Sequence, residues 1–118
     1  MLFLEYPPCS TCKKAKKWLD AHGICYTDRH IKEQNPTYDE LKQWLEISGM
    51  PVKKFFNTSG LLYKSLELKD KLPGMTVEEQ LQLLSTDGML VKRPLVVTDD
   101  GKVLTGFREK DWEATLLG

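Results

Sequence analysis

The chain has 118 residues, 41% hydrophobic and 29% charged, with 17 basic and 17 acidic side chains that cancel to a formal net charge of zero. That length suits one domain with its own core and no need of disulfide staples or a structural metal, while the balanced charge excludes a global field that draws the protein to nucleic acid or anionic lipid. No segment approaches the roughly 18 apolar residues of a membrane span, and no basic run precedes an apolar stretch at the N-terminus, which predicts a cytoplasmic protein.

Leu2-Phe3-Leu4-Glu5-Tyr6 predicts a short buried strand, ended by Pro7-Pro8 because proline supplies no ladder donor and restricts the residue before it. Cys9-Ser10-Thr11-Cys12 follows at once. From Thr11 to about His22, the positions Ala15, Trp18, Leu19 and His22 recur at helical spacing, with lysines on the other faces and Gly23 as the stop. Ile24-Cys25-Tyr26-Thr27-Asp28-Arg29 then alternates like a strand. Strand, helix and strand in about thirty residues make a βαβ unit, whose right-handed crossover sets the two strands parallel.

The middle of the chain reads as helical. Thr37-Tyr38-Asp39-Glu40 is a capping box opening a helix through Leu41, Trp44, Leu45 and Ile47 to the stop at Ser48-Gly49. Pro51 opens a short helix toward Phe55 and Phe56, Leu62 to Leu66 forms another, and Thr76-Val77-Glu78-Glu79 caps a fourth running to Gly88. Trp18, Trp44, Phe55 and Phe56 are assigned to the core. Arg93-Pro94-Leu95-Val96-Val97-Thr98 is a strand with proline near its start, turned back by Asp99-Asp100-Gly101-Lys102 into an antiparallel strand at Val103-Leu104. A closing helix begins at Glu109. The fold class is therefore α/β: a mixed four-stranded sheet, βαβ then ββα, in one domain over 1–118, with core segments 1–32 and 89–118 and an all-helical insert over 33–88.

The two thiols of Cys9-Ser10-Thr11-Cys12 fall on the first turn of a helix, where backbone N–H groups lack intrahelical partners and the dipole is positive. Both effects favour thiolate, and in such settings a cysteine pKa falls from about 8.5 to between about 3.5 and 7.5. Cys9 is the candidate nucleophile, and Cys12, one turn on, is placed to attack a mixed disulfide formed at Cys9. The bland alternative is that both are small buried hydrophobes. A zinc site needs two more converging ligands, and His22, His30 and Cys25 have no paired spacing, so no metal is expected. Cys25, on the apolar phase of its predicted strand, is read as a core residue and not as a second resolving thiol. The lysines at 13, 14, 16 and 17 are a solvated face that also raises the potential near the thiolate.

A βαβ half and a ββα half, with a cysteine at the first strand-to-helix turn and a proline opening the third strand, resemble the thioredoxin fold. The run from Tyr6-Pro7-Pro8-Cys9 through Trp18-Leu19, the helical insert, Lys92-Arg93-Pro94-Leu95-Val96-Val97 and Gly106-Phe107-Arg108 together resemble the glutaredoxin-coupled arsenate reductase family, which also contains the Spx transcription regulators. The resemblance runs essentially end to end. It implies Cys9 as nucleophile and Arg93 and Arg108 as arginines that bind the oxyanion and hold the thiolate. Helix-end N–H groups at Ser10 and Thr11, with Asn57 and Pro94, complete the implied substrate site; a bidentate guanidinium over helix N–H groups is the expected receptor for such an anion. The Arg93-Pro94 bond is typically cis in such folds, which sequence does not show. Arg108 has an alternative as a surface partner of Glu109 and Asp111.

Two departures bear on activity. Asn57 stands where those reductases carry a third arginine, and Cys12 stands where they commonly carry serine, which weakens an arsenate substrate and strengthens self-contained dithiol chemistry. The resemblance implies no cofactor beyond an external thiol reductant such as glutathione with glutaredoxin, or thioredoxin. The first expectation is thus a monomeric thiol-dependent reductase acting on a small oxyanion or a protein disulfide. The second is a redox-switched regulator that binds the RNA polymerase α subunit, as Spx does. Against the second, Spx proteins carry glycine at the polymerase-contacting turn where this chain has Pro51, with Gly49 two residues earlier; proline changes both shape and hydrogen bonding there.

Overall fold

The computed structural model describes residues 1–118. Strands β1 (Leu2–Glu5), β2 (Thr27–His30), β3 (Leu95–Val97) and β4 (Val103–Thr105) form one sheet in the order β2-β1-β3-β4. β1 pairs parallel with β2 and antiparallel with β3, and β3 pairs antiparallel with β4. Because side chains alternate across a strand, each face receives its own set. Phe3 and Val96 pack with Ala15, Trp18, Leu19 and Trp112 under helices α1 (Ser10–Ala21) and α6 (Glu109–Trp112). Leu4 and Leu95 join the larger cluster on the opposite face, with Leu41, Trp44, Phe55, Phe56 and Leu84. This is a thioredoxin-like arrangement, a sheet between two helical layers.

The second layer contains more pieces than the four helices the sequence suggests. They are α2 (Tyr38–Ser48), a 3-10 turn Val52–Phe55, α3 (Leu61–Ser65), α4 (Leu68–Lys71), a 3-10 turn Leu72–Gly74, α5 (Val77–Thr86) and a 3-10 turn Gly88–Leu90. Both capping boxes form: Thr37 and Thr76 accept from the N–H groups of Glu40 and Glu79, whose carboxylates reach back to the cap N–H. Each cap contributes about 1 kcal/mol. Glu40 also takes Arg29 Nη1 at 2.7 Å, tying α2 to β2. The α2 helix ends at Gly49 with φ 66°, a left-handed turn that glycine makes without strain.

Trp18, Trp44, Phe55 and Phe56 are buried as expected. Cys25 is a correction: it is exposed, not core. Pairing to β1 starts only at Thr27, opposite Leu2, and the buried phase of this approach belongs to Ile24 and Tyr26, which pack on the α1 side. An alternation read one residue out of phase sends Cys25 to the wrong face. His22 also faces solvent, its ring stacked 4.2 Å from that of Trp18 at the end of α1. The closing helix is a single α turn continued by a π-helical turn over Glu113–Leu117. Trp112 anchors it, 1% exposed, with Nε1 donating to Gly106 O at 3.1 Å.

Candidate active site

Cys9 is the N-cap of α1, one position before the helical turn that contains Ser10, Thr11 and Cys12. Its own N–H donates to Tyr6 O at 2.9 Å, closing the Pro7-Pro8 turn, and its carbonyl accepts the first helical hydrogen bond from Lys13 at 3.0 Å. With φ −73° and ψ 126° the Cys9 backbone is extended, as at a helix N-cap, and its side chain makes no capping hydrogen bond. Burial pushes the Cys9 thiol up, but this is outweighed by the Cys12 N–H and thiol, the Thr11 N–H and the Arg93 guanidinium, so the net direction is down from the ordinary value. Cys12 goes the other way. It is buried on the inner face of α1, and burial, reinforced by the neighbouring Cys9, pushes its thiol up to about 12 despite the Tyr6 N–H and Arg93. The pair is therefore a half-buried thiol whose ionisation is eased and a buried thiol whose ionisation is opposed, both free.

The remaining residues arrive through an antiparallel tether that sequence periodicity does not reveal. Lys92 N–H donates to Phe55 O at 2.7 Å, Asn57 N–H donates to Leu90 O at 2.8 Å, and Phe56 bridges Val91. This short pairing brings Asn57 of the helical layer alongside Arg93 at the start of β3. Asn57 is 8% exposed, and its Oδ1 accepts from Ser59 Oγ at 3.4 Å. Gly60 makes room for it: a Cβ there would lie 2.6 Å from Asn57 Nδ2.

The Arg93-Pro94 peptide is cis. The Arg93 guanidinium lies over the Tyr6 ring, 5.2 Å from its centroid, a cation–π contact that steers the group toward the Cys9 loop. Its Nε and Nη1 are buried and have no acceptor in the protein. Buried donors without partners cost on the order of 1 to 3 kcal/mol each.

A cavity of about 1070 Å³ is lined by Cys9, Thr11, Asn57, Arg93 and Arg108. Of the other residues singled out from the sequence, Ser10 is exposed at the first helical position, while Cys12 and Pro94 are buried outside the lining. Arg108 is the N-cap of α6 and is exposed, with no ion pair to Glu109 or Asp111. Sequence reasoning missed Lys53, Lys54 and Lys92, which line the same cavity and make it strongly basic inside a neutral protein. Only the adjacent Lys53-Lys54 pair signals this locally. It also missed Glu5, buried in β1 with Oε2 3.4 Å from Lys16 Nζ, which in turn reaches Asp28 at 2.9 Å. Burial, helped by Asp28, pushes the Glu5 carboxyl up to about 7 against the pull of Lys16.

A thioredoxin-like sheet with a cysteine capping its first helix, a second cysteine one turn on and an arginine before a cis-proline defines a protein built around a polarised thiol. The ArsC family model matches residues 4–115, and the chain belongs to the ArsC family. It is 54% identical over 113 residues to YusI of Bacillus subtilis, covering 96% of this chain and 95% of that one. It is 36% identical to the regulatory protein MgsR of the same organism, over 91% of this chain and 82% of MgsR. The global transcriptional regulator Spx of Staphylococcus epidermidis is 31% identical over 89% of this chain and 78% of Spx. Among solved structures, an ArsC family related protein from Bacteroides fragilis superposes with a TM-score of 0.92 at 62% identity, covering 96% and 94% of the two chains. A possible arsenate reductase from Streptococcus mutans gives 0.86 at 46% identity, covering 95% and 96%.

Proposed function

We propose that this chain is a thiol-dependent reductase in which the Cys9 thiolate attacks an oxidised substrate, a disulfide or a small oxyanion, with Arg93, Asn57 and Arg108 receiving negative charge. The observation that carries this reading is that Cys9, the N-cap of α1, and Arg93, beside the cis-proline, line one cavity. With a disulfide substrate, the thiolate bonds to one sulfur and the S–S bond breaks, releasing the other sulfur as a thiolate that takes a proton from solvent. Cys12 then loses its proton, bonds to the Cys9 sulfur and frees the second substrate thiol. The substrate gains two electrons and Cys9-Cys12 becomes the disulfide. An external dithiol of the glutaredoxin or thioredoxin class, or glutathione, resets it. A buried Cys12 held as the thiol keeps the resolving step slow until attack at Cys9 removes the adjacent negative charge. A reducing cytoplasm and a monomeric enzyme suit this cycle.

The test is turnover of arsenate and of model disulfides with each reductant, together with pH-dependent alkylation of Cys9 with and without arsenate. Loss of activity in Cys9→Ser, a trapped mixed disulfide in Cys12→Ser and arsenate protection of the thiolate support an oxyanion reductase. Protection absent with turnover of disulfides narrows the substrate to disulfides. Full activity in Cys9→Ser sinks the mechanism.

A second reading has a specific basis: two of the similar proteins, MgsR and Spx, are named as regulators. On that reading the same thiol pair switches contact with the RNA polymerase α subunit. Gly49 closes α2 and Pro51 caps the following 3-10 turn, so the surface differs from the glycine turn that Spx resemblance implies. Retention of the α subunit from lysate in one redox state only, without reductase turnover, replaces the enzyme reading with this one.

A further inference from the structure

One edge of the sheet, at β4, shares a cavity with Cys9 and is unpaired. β4 has a neighbour on one side only, β3. Hydrogen bonds at Thr98 with Lys102 and at Gly106 with Pro94 set the alternation, so Leu104 bonds toward β3 while the N–H and C=O groups of Val103 and Thr105 point outward. Neither residue's outward groups meet another part of the backbone. Such an edge is a template for another strand.

Three further features make this edge a slot. Val103 and Thr105 line the same cavity as Cys9, with Lys53 and Lys54 of the helical layer on one side and Ala114 and Thr115 of the C-terminal turn on the other. The walls carry five basic side chains, counting Lys53, Lys54, Lys92, Arg93 and Arg108, against the single acid Asp111. Lys92 lies across Gly106, where a Cβ would come within 3.0 Å of its Cε, placing a cation at the end of β4 nearest the catalytic loop. The cavity, at about 1070 Å³, is at the upper limit of sites that hold whole drug-sized ligands and far exceeds the space a four-oxygen anion fills.

We propose that β4 docks an extended, acidic, cysteine-containing segment of a client protein as a fifth strand, delivering its oxidised cysteine to Cys9. This deepens the reductase reading and rests on it for the occupant's cysteine. The geometry sets a spacing. β1 and β4 run the same way, so both end at the catalytic side, and a new strand beyond β4 lies three strand spacings from β1, about 14 Å at roughly 4.8 Å each. At about 3.3 Å per residue, the reacting cysteine falls about four or five residues from the paired stretch. Backbone pairing provides attachment with little sequence demand, and the lysines select acidic clients.

The experiment uses the isotope-labelled full chain and a peptide of about eleven residues, with a central serine in place of cysteine and alternating glutamate and threonine on both sides to allow either strand direction. Docking at β4 moves the Val103 and Thr105 amide resonances and slows their hydrogen exchange, and the glutamate peptide binds at least about tenfold more tightly than its lysine counterpart at low salt. Thr105→Pro removes an outward donor without touching the β3 ladder and weakens binding by about tenfold. Lys53→Glu with Lys54→Glu, on the opposite wall, reverses the charge preference even if Thr105→Pro fails to fold. Unmoved Val103 and Thr105 amides, or equal binding of the two peptides, overturn the proposal. Reaction of Cys9 with hydroxyethyl disulfide, small and neutral, reads the reductase chemistry separately. An inert Cys9 with a docked peptide overturns the reductase and not the slot; a reactive Cys9 with no docking does the opposite.

Discussion

Replacing Arg93 with methionine keeps an apolar stem of similar length and removes the guanidinium, so it isolates that group's share in the Cys9 thiolate. A partly exposed charge contact is worth at most about 1 kcal/mol. Arg93 acts on a half-buried Cys9 and ranks behind the Cys12 and Thr11 groups, so its share is about 0.7 kcal/mol. The pH midpoint of Cys9 alkylation is therefore expected to rise by about half a pH unit in Arg93→Met. Arg93→Lys, which keeps the charge and loses the planar fork, falls between the two. The assay is iodoacetamide labelling across pH, read by mass at the Cys9 peptide in a Cys25→Ser background, since Cys25 is exposed. Cys12, with its thiol pushed up to about 12, stays unlabelled below pH 9 or so. An unchanged midpoint in Arg93→Met would show that the helix end alone holds the thiolate, and the role assigned to Arg93 would fall.

Three further outcomes follow from packing and titration. Gly88→Ala places a Cβ 1.8 Å from Ile31 O, backbone against backbone in the core, and is expected to cost about 3 kcal/mol or more, read as a lowered urea midpoint with unchanged slope. Trp112→Ala removes the edge-to-face contacts with Phe3, Trp18 and Phe107 and the bond to Gly106, and is expected to cost about 3 to 5 kcal/mol in the same measurement. Glu5, whose carboxyl is raised to about 7 from 4.5, favours the folded state when protonated. Its stabilising contribution is full below pH 4.5 and disappears as pH rises through 7, so Glu5→Gln gains stability relative to the parent at pH 8 compared with pH 5. Parallel pH profiles for the two proteins would refute that assignment.

Much of this protein is legible in one dimension because its signals are local. The two capping boxes, the Gly49 stop and the Asp99-Asp100-Gly101-Lys102 turn are satisfied by atoms a few residues apart. Cys9 at a helix start is local as well, since the polarising N–H groups belong to Thr11 and Cys12. Cys25 is not legible in this way: it precedes β2, where no strand pairing yet fixes the alternation, and a single-residue error in phase exchanges inside for outside.

Other properties arise only when distant segments meet. The pairing of 55–57 with 90–92 brings Asn57 beside Arg93, and no pattern in either segment announces it. The basic cavity is likewise tertiary: 17 positive and 17 negative side chains cancel over the chain, yet five cations gather around Cys9 because the helical layer, β3 and the loop before α6 converge there. Sequence determined which sulfur carries the chemistry, since the larger influences that ease its ionisation belong to its own helix end. The tertiary structure alone decided which charges surround it and which strand edge stays open, because electric fields and unpaired backbone groups depend on distances in space and not on separation along the chain.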